Sequence, residues 1–247
     1  MPHPAFGLLR MVAVWLLAFG LAVVAFAATP PPFDLEPFRA ASLARWEKEI
    51  AALEERDRTE LHAPGGILFI GSSSIRLWKD IAEGMAPYRP IQRGFGGSSW
   101  PDVAIFAERL IRPHAPRAFV FFVANDIQGR ENDRTPGEIV ALFHQVLGVI
   151  HQRHPTTPVF YVAVTPSGSR FAAWPKIKAG NQAVQAFCEA TPHTYFIPTE
   201  SAFLNAEGKP RDELFVEDRL HLNPDGYVRW GAIIKSHLDG VLGGAGL

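Results

Sequence analysis

Two rhythms of apolar and polar positions alternate along the chain. Short apolar runs occupy Ile67–Ile70, Ala118–Ala124 (AFVFFVA), Pro158–Val164 and Tyr195–Ile197, and Pro90–Arg93 reads as a further strand, the second in chain order. Runs of this length and composition predict strands, and a run apolar throughout predicts burial on both faces. Between them the spacing shifts to three and four. Ser73–Glu83 reads as a helix. After Ser99 a second helix has Pro101 near its start and Trp100, Val103, Ala104, Ala107 and Ile111 on one face. Thr135-Pro136-Gly137-Glu138 is a capping box that opens a helix through Ile139, Leu142, Phe143, Val146 and Ile150. Ala172–Glu189 turns Ile177, Val184 and Phe187 inward. Asn223 and Pro224 cap and open a last helix with Tyr227, Trp230, Ile234 and Leu238 inward. Ahead of this alternation, Pro37–Glu60 predicts a long helix with Leu43, Trp46, Ile50 and Leu53 on one face and a Glu54–Arg58 pair, packed on the sheet from outside the repeating units. Strands alternating with helices predict an α/β fold, a five-stranded parallel sheet with helices on both faces.

The first residues follow a different pattern. Arg10 precedes an uncharged run from Met11 to Ala28, and Ala25-Phe26-Ala27 has the A-x-A form of a signal-peptidase site. Cleavage is expected after Ala27; an uncleaved membrane anchor is the alternative, because the run is long enough to span a bilayer. No cysteine near the site allows lipid modification. The organisation expected is therefore a signal peptide over 1–27, and a linker and N-terminal helix over 28–65, with Thr29–Pro32 stiff. The α/β domain covers 66–241, and a flexible tail covers 242–247. The expected location is periplasmic or secreted, with no stable membrane association once the signal is removed.

Composition narrows the function classes. At 247 residues, 47% apolar and 20% charged, the chain has the makings of a real core. A net charge of −1 offers no basic surface for nucleic acid. The single cysteine, Cys188, permits neither an internal disulfide nor a cysteine metal cluster, and reads as a small core residue of a helix. No metal or organic cofactor is expected. His151 and His154 read as partners of the last helix carbonyls rather than a metal pair, and His62, His114 and His193 fall in loops without a neighbouring acid. Trp78, Trp100 and Trp174 fit either the core or a pocket wall.

In a parallel sheet the chemistry sits beyond the carboxyl ends of the strands. Ser72, Ser73 and Ser74 stand after the first strand, in GILFIGSSSIRLW. The loop Gly94-Phe95-Gly96-Gly97-Ser98-Ser99 follows the second, and Asn125 and Asp126 the third. Asp218 and His221 stand in VEDRLHLNPDGY before the last helix. Each has a plain structural reading: an N-cap, a tight turn, a loop start, surface residues. All four arrive at one edge of one sheet. Arg170–Pro175, after the fourth strand, reads as a surface loop that also stands near an acyl or leaving-group site.

These blocks, GSSS, GFGGSS, ANDI and DRLHLNPDGY, resemble in order those of the SGNH hydrolases, the GDSL-type esterases and lipases, over roughly residues 66–240. The resemblance implies a three-layer flavodoxin-like fold and a serine hydrolase of carboxylic esters, acting on small acyl or acetyl esters of sugars or lipids through an acyl-enzyme on Ser73. It implies Ser73, Asp218 and His221 as catalytic residues. The oxyanion hole falls to the backbone of Ser73 and Gly97 and the side chain of Asn125. Ser72 stands where the family has aspartate, which leaves three adjacent serines as nucleophile. Val123 or Ala124 stands where it often has glycine. The expected partner is a small acyl ester. A periplasmic O-acyltransferase using the same acyl-enzyme is one alternative. A nucleotide-binding module is another, because Gly94 and Gly96 imitate part of GxGxxG although Ser99 replaces its last glycine.

Overall fold

The structure is a computed structural model that describes Met1, residues 30–60 and residues 62–243. Apart from Met1, the export signal expected over residues 1–27 lies outside the described residues, as do residues 244–247 of the expected tail. Among the described residues no helix is long and apolar enough to cross a membrane.

Five parallel strands form one sheet: β1 (Ile67–Gly71), β2 (Pro90–Gly94), β3 (Ala118–Phe122), β4 (Val159–Val162) and β5 (Thr194–Ile197). Their order is β2-β1-β3-β4-β5. This is the flavodoxin-like order, in which the chain reverses its direction of winding between β1 and β3 and leaves a crevice at their carboxyl ends. The helices are α1 (Glu36–Thr59), α2 (Ser73–Arg76), α3 (Ile81–Gly84), α4 (Trp100–Ile111), α5 (Pro136–His151), α6 (Trp174–Ala190), α7 (Glu200–Phe203) and α8 (Pro224–Leu242).

Successive strand residues point to opposite faces, and the core divides accordingly. Leu68, Ile70, Phe119, Phe121, Val159 and Tyr161 face a layer built by α1, α4, α5 and α6, centred on Trp46, Trp100 and Phe143. Ile67, Phe69, Val120, Phe122, Phe160 and Val162 face the opposite layer of α2, α3 and α8, centred on Trp78 and Trp230. Both faces are covered, which is why β1, β3 and β4 are apolar without alternation. Trp78, Trp100 and Trp174 are all buried, and Cys188 is a buried residue of α6. The capping box Thr135–Glu138 forms as expected at α5, and Asn223 caps α8.

Several local expectations change. The helix expected over Ser73–Glu83 is two single turns, α2 and α3. The Gln92 side-chain amide donates to the carbonyls of Ile75 and Trp78, at 2.6 and 2.9 Å, and so ends α2 from the neighbouring strand. In α1 it is Ser42, not Leu43, that joins Trp46, Ile50 and Leu53 on the buried side, because its hydroxyl donates to Asp102 at 2.5 Å. The helix packs along α4 and the β2 edge. Glu54 and Glu47 pair with Arg109 of α4, and Arg58 pairs with Glu55. Arg93 of β2 is fully buried and paired with Asp57 of α1, which also lies 3.1 Å from His114 Nε2. His114 and His62 thus do have acid neighbours, the latter in Glu60 at 3.2 Å. His154 packs its ring on Phe119 at 5.4 Å, and His151 Nε2 is buried with no hydrogen-bond partner among the described residues. No group of three potential metal ligands occurs among the described residues.

Candidate active site

Ser73 opens α2 immediately beyond β1. Its two serine neighbours are buried while Ser73 itself is partly open. The turn is tight because Gly71 brings β1 against β3: the Ser72 N–H donates to Phe122 O at 3.0 Å. A Cβ at position 71 would stand 2.0 Å from that oxygen. The Ser73 hydroxyl is then 2.9 Å from His221 Nε2. Of the three adjacent serines, the geometry brings Ser73 to the imidazole.

The other imidazole nitrogen, Nδ1, is 2.5 Å from Asp218 Oδ2. Asp218 and His221 lie on a non-helical turn rather than the helical turn that their three-residue spacing suggests. Asp218 Oδ1 accepts the N–H groups of Leu220 and His221 at 2.8 and 2.9 Å, an aspartate turning the backbone on itself. Arg219 inside the turn adopts φ 53°, and the Val216 N–H closes the turn on His221 O at 2.9 Å. Burial pushes the Asp218 carboxyl upward. The His221 N–H, the His221 ring and the Leu220 N–H outweigh it and hold the carboxyl below its ordinary range. An acid ionised through neutral pH therefore fixes the proton on Nδ1 and leaves Nε2 free to accept one from Ser73.

The loops after β2 and β3 approach from the other side. Gly97 has φ 81°, a left-handed conformation suited to glycine. Among the described residues no protein acceptor takes the backbone N–H of Ser73 or Gly97. Asn125 Nδ2 donates to Ser98 O at 2.9 Å, which binds these two loops together. Asn125 shares one cavity with Ser73 and His221, and an adjoining polar cavity with Gly97. Asp126 points away from Ser73. It caps α4 by accepting the Trp100 N–H at 3.0 Å, and burial raises its carboxyl to about 7 against the lowering effect of that bond.

The cavity at Ser73 is small, about 30 Å³. Its far wall holds Arg170, from the loop expected near an acyl or leaving-group site, and two residues that sequence reading passed over. These two are Thr165 and Ser167, both buried, and Thr165 Oγ1 has no hydrogen-bond partner among the described residues. The edge rule that picks out the residues after the first three strands applies equally to these, just beyond β4. A second cavity of about 670 Å³ starts at His221 and Leu222 and runs between α2, α3 and the start of α8, past Trp78, Tyr227 and Val228. Val216 and Val228, two of the few exposed large apolar residues among those described, line it.

Comparison with known proteins agrees with this arrangement. No curated protein matches the sequence. Solved structures are similar in fold at low identity. One from Streptococcus pneumonia, described by reference to platelet activating factor, is 19% identical with a TM-score of 0.68, covering 83% of this chain and 97% of its own. A GDSL-like lipase from Bacteroides thetaiotaomicron is 18% identical with a TM-score of 0.63, over 81% and 98%. A family 3 carbohydrate esterase from Clostridium thermocellum is 18% identical with a TM-score of 0.54, over 73% and 98%. The model of the GDSL-like lipase/acylhydrolase family matches residues 70–229, from the end of β1 into α8 and across all four blocks. The chain belongs to that family and is a carboxylic ester hydrolase.

Proposed function

We propose that Ser73 attacks a short-chain acyl ester and carries the acyl group as a covalent intermediate. The observation that carries the reading is the single line of contacts Asp218–His221–Ser73, at 2.5 and 2.9 Å. His221 Nε2 takes the Ser73 proton as the oxygen bonds to the carbonyl carbon, and Asp218 stabilises the imidazolium formed. The carbonyl oxygen, now negative, is met by the N–H groups of Ser73 and Gly97 and by Asn125 Nδ2. The intermediate collapses as His221 gives its proton to the departing alkoxide. Water then repeats the sequence on the acyl-enzyme, with His221 again as base, and frees the acid.

Pocket sizes support a division of the substrate. One water requires about 10–15 Å³ of cavity, so the space at Ser73 suits an acetyl group or little more. The larger apolar cavity begins at His221, the residue that protonates the leaving oxygen, and suits an alcohol with apolar surface. We place the reaction outside the cytoplasm, on the export pattern of residues 10–27. A panel of p-nitrophenyl esters from acetate to palmitate tests the acyl assignment: turnover is expected to peak at acetate. A rate that climbs towards palmitate overturns it. Product analysis with a sugar acceptor present separates hydrolysis from acyl transfer.

A further inference from the structure

Asn125 has a partner that neither the triad nor the family blocks include. Arg170, on the 3-10 turn Gly168–Ala173 after β4, donates from Nη2 to Asn125 Oδ1 at 2.7 Å and from Nη1 to the Ala124 carbonyl. Among the described residues it forms no ion pair; both contacts are to neutral oxygens flanking the same peptide. We propose that Arg170 is the positioning residue of the oxyanion site, acting through Asn125 to fix which pole of its amide faces the reacting carbonyl.

The argument is one of donors and acceptors. A guanidinium can only donate, and a backbone carbonyl can only accept. Arg170 therefore faces Oδ1, and Ser98 O faces Nδ2, which donates to it at 2.9 Å. Rotating the amide by half a turn would set N–H against N–H at Arg170 and oxygen against oxygen at Ser98. One Nδ2 hydrogen goes to Ser98, and the second is left for the oxyanion. Without Arg170, the Ser98 contact alone holds the amide, and a rotated or tilted amide presents oxygen to a developing negative charge. The Asn125 backbone is held separately, since its carbonyl accepts Gln128 Nε2 at 2.7 Å. Arg170 thus governs chiefly the side-chain orientation. The same turn is joined to the base: the Ser169 N–H donates to Arg219 O at 3.0 Å, inside the Asp218–His221 turn.

This inference rests on the oxyanion role given to Asn125, and the test separates the two. Full-length Arg170→Met, Arg170→Lys, Asn125→Ala and the Arg170→Met/Asn125→Ala double variant are assayed on p-nitrophenyl acetate, with rates normalised to the folded fraction by circular dichroism. Arg170→Met is expected to lower kcat by about 10–10²-fold, the scale of a misplaced catalytic group, with KM within about twofold. Arg170→Lys keeps one donor and falls between. Asn125→Ala lowers kcat by about 10²–10³-fold, and adding Arg170→Met to it changes kcat by less than about twofold, because the group that Arg170 orients is gone. A kcat for Arg170→Met within twofold of the parent overturns the proposal, as does a drop that multiplies fully with Asn125→Ala. Should Arg170→Met not fold, Arg170→Lys in the two backgrounds gives the same comparison. A normal rate in Asn125→Ala overturns both the oxyanion role and the inference built on it. Loss with Asn125→Ala but not with Arg170→Met overturns the inference alone.

Discussion

Gly71→Ala puts one methyl between β1 and β3 at the point where both strands end in the site. Built on the present backbone, that carbon lies 2.0 Å from Phe122 O and 2.9 Å from Phe122 C. Real Cβ atoms essentially never come within 3.0 Å of another heavy atom, so the strand ends must part by about 1 Å. The obstacle is backbone on both sides, and no side-chain rotation relieves it. Overpacking of this kind costs about 1–3 kcal/mol. In a domain of this size each kcal/mol lowers Tm by about 2–4 °C. Activity suffers more, because Ser73 hangs from the end of β1 and Asn125 from the end of β3. A misplacement of about 1 Å between reacting groups costs roughly 10²-fold in rate. The assay pairs thermal unfolding by circular dichroism with kcat on p-nitrophenyl acetate, and uses Gly148→Ala as control. Nothing lies within 4 Å of a Cβ at position 148 in the body of α5, so that change is neutral or stabilising by up to about 1 kcal/mol. Gly71→Ala with an unchanged Tm and kcat within twofold would refute the close-approach argument.

Ser73→Ala is expected to abolish both turnover and fluorophosphonate labelling, while Ser72→Ala and Ser74→Ala retain labelling; label on Ser72 or Ser74 would move the nucleophile. Asp126 binds its proton more readily folded than unfolded, since its folded value of about 7 exceeds the ordinary aspartate value of 3.8. Stability from this group is present at low pH and is lost as pH rises through about 7. Asp126→Asn should flatten the fall in urea midpoint between pH 4 and 8, and an unchanged slope would remove Asp126 as its source. Val228→Asp, in the apolar cavity beside His221, should slow hydrolysis of octyl acetate about tenfold or more while leaving ethyl acetate within twofold. Equal losses on both esters would sever that cavity from the alcohol.

The layered fold was legible because burial on both faces leaves a direct mark: continuous apolar strands, with helical spacing between. The site was legible for a related reason. Parallel winding carries every strand's carboxyl end to one edge, so residues far apart in sequence can be compared by their place after a strand. Ser73, Asn125 and His221 stood out on that rule together with the family blocks. What sequence left hidden was contact across elements. Gln92 is an ordinary strand residue until its amide is seen to hold the Ile75 and Trp78 carbonyls and so divide the helix expected over Ser73–Glu83. Arg93 gives no sign of being buried, since its partners Asp57 and Glu60 stand at the end of a helix outside the repeating units. Leu43 fits the apolar stripe of α1 better than Ser42 does, and only the hydroxyl's bond to Asp102 reverses them. Arg170 carried a positional signal, but its aim at Asn125 depends on a 3-10 turn that no periodicity announces.

The turn from Val216 to Leu222 is stitched shut by its own backbone: the Val216 N–H meets His221 O, and Phe215 bridges Leu222. Acid and imidazole therefore ride on one small lever. Because both are fixed to the same turn, any shift of that lever carries them together, and the proton they share stays on Nδ1 whatever the distance to the hydroxyl.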